Sequence, residues 1–337
     1  MNTLFPLRFS ASMMESVYRC QTSFFREHIQ RLRNISQNEH LIAGGHFAKA
    51  CEIVRTEYFT NGKDKETAIE IGQDYILSSE DTNSDVKSNE NVAYCLGKYF
   101  KTFPLEESLP PCSLANGTHA VEYKFDFDLG IEHPDIKGTN ITFTGKLDYL
   151  AEKVGLLKTT RHGLDEKTCT SIFRLKGTKT IDYAKECAQY RTNGQILAYC
   201  WAARELGVPL ESFFIRKVPI LTSYEPAFEL ELSVTDFAID LWYHTTRNLI
   251  LDLVEKYKTY KSLPKDSRVP IGYMYYPSTT NLACLSYSSP CRFQEGCLHK
   301  DGEEVLKEKF NQRIYDSETS MDMGLDEYLT KLGLQHE

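Results

Sequence analysis

Three β-rich stretches follow one another in the middle of the chain, and they constrain its fold more than any other feature. From Val121 to Leu129 the sequence alternates: Val121, Tyr123, Phe125, Phe127 and Leu129 point one way, and Glu122, Lys124, Asp126 and Asp128 the other, the period-two pattern of a half-buried strand. A turn at Pro134–Gly138 leads to Ile141–Leu150, which alternates again, and Gly163–Cys169 is a shorter third strand. Tyr183–Leu206 then reads as a long helix stopped by Gly207-Val208-Pro209, Ser212–Leu221 as an apolar strand, and Val234–Tyr260 as a second long helix. Ahead of the strands, Phe9–Leu32 carries an early helix with Phe24, Phe25 and His28 at helical spacing. His40–Phe59 is a second helix, with Leu41, Phe47, Ala50, Cys51, Val54 and Tyr58 on one face. Ser78–Asn91 and Pro104–Gly117 read as loops. The order helix, helix, three strands, helix, strand, helix predicts a mixed α/β fold with decorated ends.

The chain has 337 residues, enough for one large or two modest domains. No stretch approaches the ~18–20 uninterrupted apolar residues of a spanning helix, and Pro6 breaks the short apolar patch of Leu4, Phe5 and Leu7. A cytoplasmic protein with no membrane partner is expected. The net charge of -8 is unevenly spread. Nine basic and four acidic residues lie between Lys153 and Arg191, whereas four basic and ten acidic residues lie in the tail from Asp301 to Glu337. A basic middle beside an acidic tail is compatible with a polyanionic substrate, and equally with a solvated surface clustered by chance.

The second and third strands hold the informative chemistry. The second reads Thr144-Gly145-Lys146-Leu147-Asp148-Tyr149 and the third Leu164-Asp165-Glu166-Lys167-Thr168. Asp165 and Lys167 share a face, being two apart on a strand, and Asp148 joins them if the strands pair as a hairpin. Close carboxylates resist joint ionisation unless a cation lies between them, and Mg²⁺ or Mn²⁺ takes such oxygen ligands. Taken alone, an Asp-x-Lys on a strand is more often a surface ion pair than a site. His46 lies beside Gly44-Gly45 on the early helix, Glu122 on the polar face of the first strand, and Gln195 and Tyr199 four apart on the helix after the third strand.

This series resembles the PD-(D/E)XK nuclease superfamily and, within it, the RecB-like branch, which includes the nuclease domains of RecB and AddB, CRISPR spacer-acquisition nucleases and phage relatives. GGHFAKA is similar to the branch's His helix, AVEYKFDFDL to the strand with a less constant Glu, and FTGKLDYL to its second core strand. LDEKTC is similar to its signature strand, QILAYCWAA to its Gln-x-x-x-Tyr helix, and FSASMMESVYRCQTSFF to its opening segment. The resemblance spans about Phe9 to Leu298. It implies a restriction-endonuclease-like core, a mixed central sheet flanked by helices, in a single nuclease domain over 1–300. The core lies at about 40–225, the C-terminal helix and cysteine segment at 233–298, and an acidic tail at 301–337. It implies a DNA nuclease using Mg²⁺ or Mn²⁺, an exonuclease before an endonuclease, with room for a single-strand preference. Such an enzyme would act in recombination, repair, phage or CRISPR-related DNA processing, alone or within a complex of that kind. A non-catalytic DNA-binding or complex-forming subunit that keeps the fold is the alternative. Asp148, Asp165 and His46 would hold the metal, with Glu122 as a less constant further ligand. Lys167 would orient the attacking water or stabilise the transition state. Gln195 would steady the site, and Tyr199 would pack against it or touch DNA. Arg174, Lys176 and Lys179, in the basic run, would bind backbone phosphate. The stretch between Asp148 and Asp165 is longer than a tight hairpin needs.

Three of the ten cysteines, Cys284, Cys291 and Cys297, crowd the C-terminal part. Thiolates at such spacing hold zinc or an iron–sulfur cluster once a fourth ligand joins them. The resemblance implies that Cys20 is that ligand, in a [4Fe–4S] clasp joining the N- and C-terminal segments, with zinc or uncoordinated thiols as alternatives. The first gap of six residues departs from the branch's commoner Cys-x2-Cys-x5-Cys.

Overall fold

The structure is a computed structural model, and it describes residues 3–33, 39–80, 84–114, 117–156, 158–221, 223–264, 271–275, 284, 290–298, 302–316 and 321–331. In chain order these form β1 (Arg8–Phe9), α1 (Ala11–Arg19), α2 (Gln21–Phe24), β2 (Leu32–Arg33), α3 (Glu39–Arg55), α4 (Lys65–Ser78) and α5 (Asn89–Thr102). Strands β3 (Val121–Glu132), β4 (Asn140–Val154) and β5 (Thr159–Cys169) follow, then α6 (Tyr183–Ala188), α7 (Gly194–Glu205), β6 (Ser212–Pro219), β7 (Phe228–Leu232) and α8 (Asp236–Ser262). The chain closes with α9 (Ile271–Met274), α10 (Gln294–Leu298), α11 (Gly302–Lys309), β8 (Asn311–Asp316), β9 (Met321–Gly324) and α12 (Leu325–Lys331). The fold is mixed α/β, with a mixed sheet ordered β1-β4-β5-β6-β7, β3 also pairing with β4, and helices flanking it.

Two compact units divide the backbone: 37–125 with 145–244, and 1–36 with 126–144 and 245–337. In the first, β4 pairs antiparallel with β5 from Tyr149↔Leu164 to Val154↔Thr159, and β5 runs parallel to β6 from His162↔Ser212 to Cys169↔Pro219. A parallel neighbour requires a long crossover, which α6 and α7 supply. Gly163 is glycine because a Cβ there would lie 2.4 Å from the Phe213 ring. Helices α3, α4 and α5 carry the apolar core of this unit, with Phe47, Ala50, Val54, Ile76, Leu96 and Val218 all buried. Asp64 and Ser88 cap α4 and α5 by accepting from the backbone N–H groups of Thr67 and Asn91.

The second unit packs Phe5, Phe9, Phe24, Phe25, Tyr257 and Tyr275, all buried, with the Phe25 and Tyr275 rings 4.5 Å apart and those of Phe5 and Tyr257 5.3 Å apart. β1 pairs parallel with β4 at Arg8↔Thr142, and β2, β8 and β9 form a small antiparallel sheet.

Several expectations change. The third strand begins at Thr159 and the second ends at Val154, so long strands and a short connection account for the extended Asp148–Asp165 spacing. The expected helix Tyr183–Leu206 is two helices, broken at 189–193, where the Asn193 side chain accepts from Gln195 and Ile196 N–H and starts a new helix. The early helix is also broken, at Cys20. The stretch 78–91 separates two helices, α4 and α5, that the pattern did not predict, and the acidic tail carries β8 and β9 as well as helix.

Candidate active site

The hairpin of β4 and β5 brings Asp148 and Asp165 together. The pairing Tyr149↔Leu164, continued by one residue, sets Asp148 opposite Asp165, and directly opposed side chains share a face. Asp165 is 1% exposed, and neither of its carboxylate oxygens has a hydrogen-bond partner. Lys167 Nζ lies 2.6 Å from Asp165 Oδ2 in an ion pair. Burial and the neighbouring Asp165 carboxylate, reinforced by Glu122 and opposed by Lys167, hold the Asp148 carboxyl well above the usual carboxylate range. Burial pushes the Lys167 ammonium down, but Asp165 and Asp148 together outweigh it and leave the ammonium more basic than usual. The lysine therefore keeps its proton at neutral pH.

Helix α7 completes this face. Lys167 Nζ donates to Gln195 Oε1 at 2.9 Å, and Gln195 Nε2 donates to the Tyr199 hydroxyl at 2.8 Å. Gln195 reaches the strand because Asn193 starts the helix immediately before it, accepting from the Gln195 N–H at 2.8 Å. Tyr199 is buried, 6.2 Å from the Phe213 ring, and burial together with the two aspartates makes its hydroxyl harder to ionise.

Glu122 stands in the left-handed backbone region, with φ 50°, uncommon for a residue with a side chain. It pairs with Lys146. Burial raises its carboxyl above the usual range although Lys146 opposes the shift, and its charge is felt at Asp148. His46 lies on α3, where Gly44 lets the helix approach β5 closely: a Cβ on Gly44 would be 3.2 Å from Thr168 Oγ1. The His46 ring meets Tyr75 edge-on at 6.4 Å, and its Nδ1 is buried without a hydrogen-bond partner. Among the described residues, no three His, Cys, Asp or Glu side chains are arranged as a ready set of metal ligands.

The donor set nevertheless suits a hard cation. Two opposed carboxylates, one of them buried and offset by a single lysine, cost free energy that a divalent ion at oxygen ligands offsets.

The basic residues diverge. The Arg174 guanidinium is engaged by Glu225 and by the Lys179 carbonyl, so it braces its own loop. Lys176 and Lys179 are exposed in that loop, which turns at Gly177 (φ 75°) and is closed by the Leu175 N–H donating to the Thr180 carbonyl at 3.0 Å.

In the second unit Cys20 caps the break between α1 and α2, and the Cys291 N–H donates to the Cys284 carbonyl at 2.8 Å. Burial raises the Cys284 thiol, and Cys291 and Cys20 raise it further. Burial also raises Cys297, with Arg26 opposing and Cys20 and Cys291 adding. Cys20 and Cys291 thus each lie within electrostatic reach of both Cys284 and Cys297, Cys20 across more than 260 residues of sequence. No described cysteine forms a disulfide.

The sequence reading missed Glu166 and its partners. Glu166 points away from the aspartates into a buried cluster with Arg55 and Tyr99. It also missed the buried ion pair between Lys217, beside Lys167 in the register, and Glu186, 2.7 Å apart. The sole signal was two charged residues within apolar strand and helix patterns.

No family model matches the chain. No curated protein matches it in sequence. Among solved structures, a protein from Eubacterium rectale provisionally named an exonuclease is 15% identical, with 79% of this chain and 91% of that chain covered and a TM-score of 0.44. The protein SSO0001 is 11% identical, with 68% and 96% covered and a TM-score of 0.26. At these TM-scores neither likeness defines the fold or the chemistry of this chain. No helix among the described residues is long and apolar enough to cross a membrane.

Proposed function

We propose that the chain is a metal-dependent DNA nuclease that hydrolyses phosphodiester bonds at the Asp148–Asp165–Lys167 face. The observation that carries this reading is the opposed carboxylate pair, with Asp165 buried and Lys167 Nζ in an ion pair 2.6 Å from its Oδ2. Asp148 and Asp165 would hold Mg²⁺ or Mn²⁺, with His46 and Glu122 as the further candidate ligands. A divalent ion there supplies Lewis acidity at a phosphate oxygen and lowers the pKa of a bound water.

The protein's own part follows from the site. Lys167 keeps its proton and places positive charge where the pentavalent phosphorus gathers negative charge. Gln195 fixes the Lys167 ammonium through its carbonyl oxygen and is itself fixed by Tyr199, so the lysine loses little freedom on reaching the transition state. Lys176 and Lys179 offer charge to the DNA backbone, while Arg174 holds their loop. In the second unit, Cys20, Cys284, Cys291 and Cys297 would bind a [4Fe–4S] cluster, with zinc as the alternative, and metal uptake would have to deprotonate the raised Cys284 and Cys297 thiols. The supporting observation is the electrostatic influence of Cys20 and Cys291 on Cys284 and Cys297.

Incubating end-labelled single- and double-stranded DNA with the protein, in chelator and then with added Mg²⁺ or Mn²⁺, tests the proposal. Cleavage confined to the metal-containing reactions is expected. DNA binding without cleavage under every condition would replace it with a non-catalytic DNA-binding subunit.

A further inference from the structure

On β5, alternation sends Asp165 and Lys167 to one face and Glu166 to the other. On β4, Tyr149 likewise faces away from its neighbour Asp148. A single side chain grips both reverse-face residues. The Arg55 guanidinium, at the end of α3, pairs with Glu166, with Nη1 3.3 Å from Oε2 and Nη2 engaging Oε1. The same guanidinium stacks over the Tyr149 ring, 4.6 Å from its centroid. Both members of the ion pair are buried, with side chains 5% and 3% exposed.

The cluster is braced on every side. Tyr99, from α5, donates its hydroxyl to Glu166 Oε1 at 2.6 Å and accepts from Arg55 and Arg216, each at 3.3 Å. Arg216, from β6, donates to Glu229 at 2.7 Å and lies over the Phe103 ring at 4.1 Å. Tyr149 donates to the Leu109 carbonyl at 2.6 Å. Its neighbours thus leave Arg55 little freedom to move.

A buried ion pair of this kind is a weak source of stability, because desolvating two charges offsets most of their attraction. Its planar, forked geometry is specific, however. Arg55 bonds the residue between Asp165 and Lys167 and stacks on the residue next to Asp148, so it fixes the strands carrying both carboxylates relative to each other. We infer that Arg55 is a positioning residue, a lock on the reverse face that sets the relative placement of Asp148 and Asp165 for a divalent cation. This inference rests on the nuclease reading for its catalytic consequence but not for its metal-binding one.

The test is the double variant Arg55→Met with Glu166→Gln. It removes both charges together, so no unpaired buried ion remains, and the glutamine amide oxygen still accepts from Tyr99. Mn²⁺ affinity by calorimetry, kcat and KM on DNA, DNA affinity, and the thermal midpoint are measured together. The lock predicts a folded protein whose Mn²⁺ Kd rises and kcat falls by ~10–100-fold, the range for residues that orient metal ligands, with DNA affinity unchanged. A folded double variant with wild-type Mn²⁺ affinity and kcat would overturn it. If the double variant does not fold, Arg55→Lys decides. Lysine keeps the charge but not the fork, so Mn²⁺ affinity should fall while the fold is retained, and wild-type affinity would refute the lock. Wild-type protein that binds Mn²⁺ without cleaving DNA removes the nuclease reading alone, leaving the Mn²⁺ comparison to decide the lock. Wild-type protein that binds no Mn²⁺ overturns both.

Discussion

Replacing Asp148 with asparagine should make the metal-free protein more stable while removing its response to metal. Directly opposed strand residues place their Cβ atoms ~4.5–5.5 Å apart, and two carboxylates at ~5 Å repel by about 3 kcal/mol at an effective dielectric of ~20. Lys167, 2.6 Å from Asp165, offsets part of this, leaving about 1–3 kcal/mol. The pH dependence has a definite sign. Burial and Asp165 raise the Asp148 carboxyl in the folded protein, so the native state binds a proton that the unfolded chain releases near pH ~3.9. Between that value and the raised folded value, stability falls with rising pH by up to ~1.4 kcal/mol per unit. Above the folded value the whole penalty persists. The asparagine amide carries no charge at any pH and escapes the penalty. Thermal unfolding in chelator at about neutral pH should show Asp148→Asn melting ~2–12 °C above wild type, taking ~2–4 °C per kcal/mol for a unit of this size. The wild-type midpoint should fall more steeply as pH rises from mildly acidic. Added Mn²⁺ should raise the wild-type midpoint and leave the variant's unchanged. A variant that melts below wild type in chelator, or shows the same pH slope, would refute the account of a strained carboxylate pair.

Three further outcomes are expected. Lys176→Glu with Lys179→Glu should weaken DNA binding and flatten its salt dependence, by ~0.9 in log–log slope for each duplex phosphate no longer neutralised, whereas Arg174→Gln should mainly loosen the loop; titrations across a salt series separate the two. Anaerobically purified protein should be brown, with broad absorbance near ~400 nm, and Cys20→Ser should bleach it while Cys51→Ser, on the buried face of α3, should not; a colourless preparation with stoichiometric zinc would make the clasp a zinc site. Gly163→Ala should destabilise the first unit by about 1–3 kcal/mol, because its Cβ would meet the buried Phe213 ring, as read from urea unfolding.

Much of the candidate site was legible because strands announce themselves locally. The alternation around Asp148 and Asp165 set which side chains share a face, and the hairpin then opposed them as the spacing allowed. Gln195 and Tyr199, four apart on a helix, likewise meet at the hydroxyl. The helical reading ran through the break at 189–193, although Gln189-Tyr190-Arg191-Thr192-Asn193 is mostly polar, because it took Tyr183 to Leu206 as one run and passed over the new start that Asn193-Gly194 marks. The cluster of Arg55, Tyr99 and Glu166 joins residues up to 111 apart, and nothing local distinguishes a buried arginine from a solvated one at a helix end. The relation of Cys20 to the late cysteines came from resemblance rather than spacing, since more than 260 residues separate it from Cys284. His46 shows the opposite limit: its place on α3 was anticipated, but the ring contact it makes with Tyr75 has no local signal.

The central claim, that the opposed carboxylates act on phosphodiester bonds and not merely on DNA affinity, is tested most directly by Asp165→Ala. Cleavage of end-labelled DNA in Mn²⁺ and equilibrium DNA binding are measured on the same preparation beside wild type. The account predicts that cleavage falls by at least ~10³-fold while the DNA Kd stays within about twofold, since the residue serves the transition state and not the backbone contacts. Near-wild-type cleavage by Asp165→Ala would contradict it and move the chemistry away from the β4–β5 hairpin.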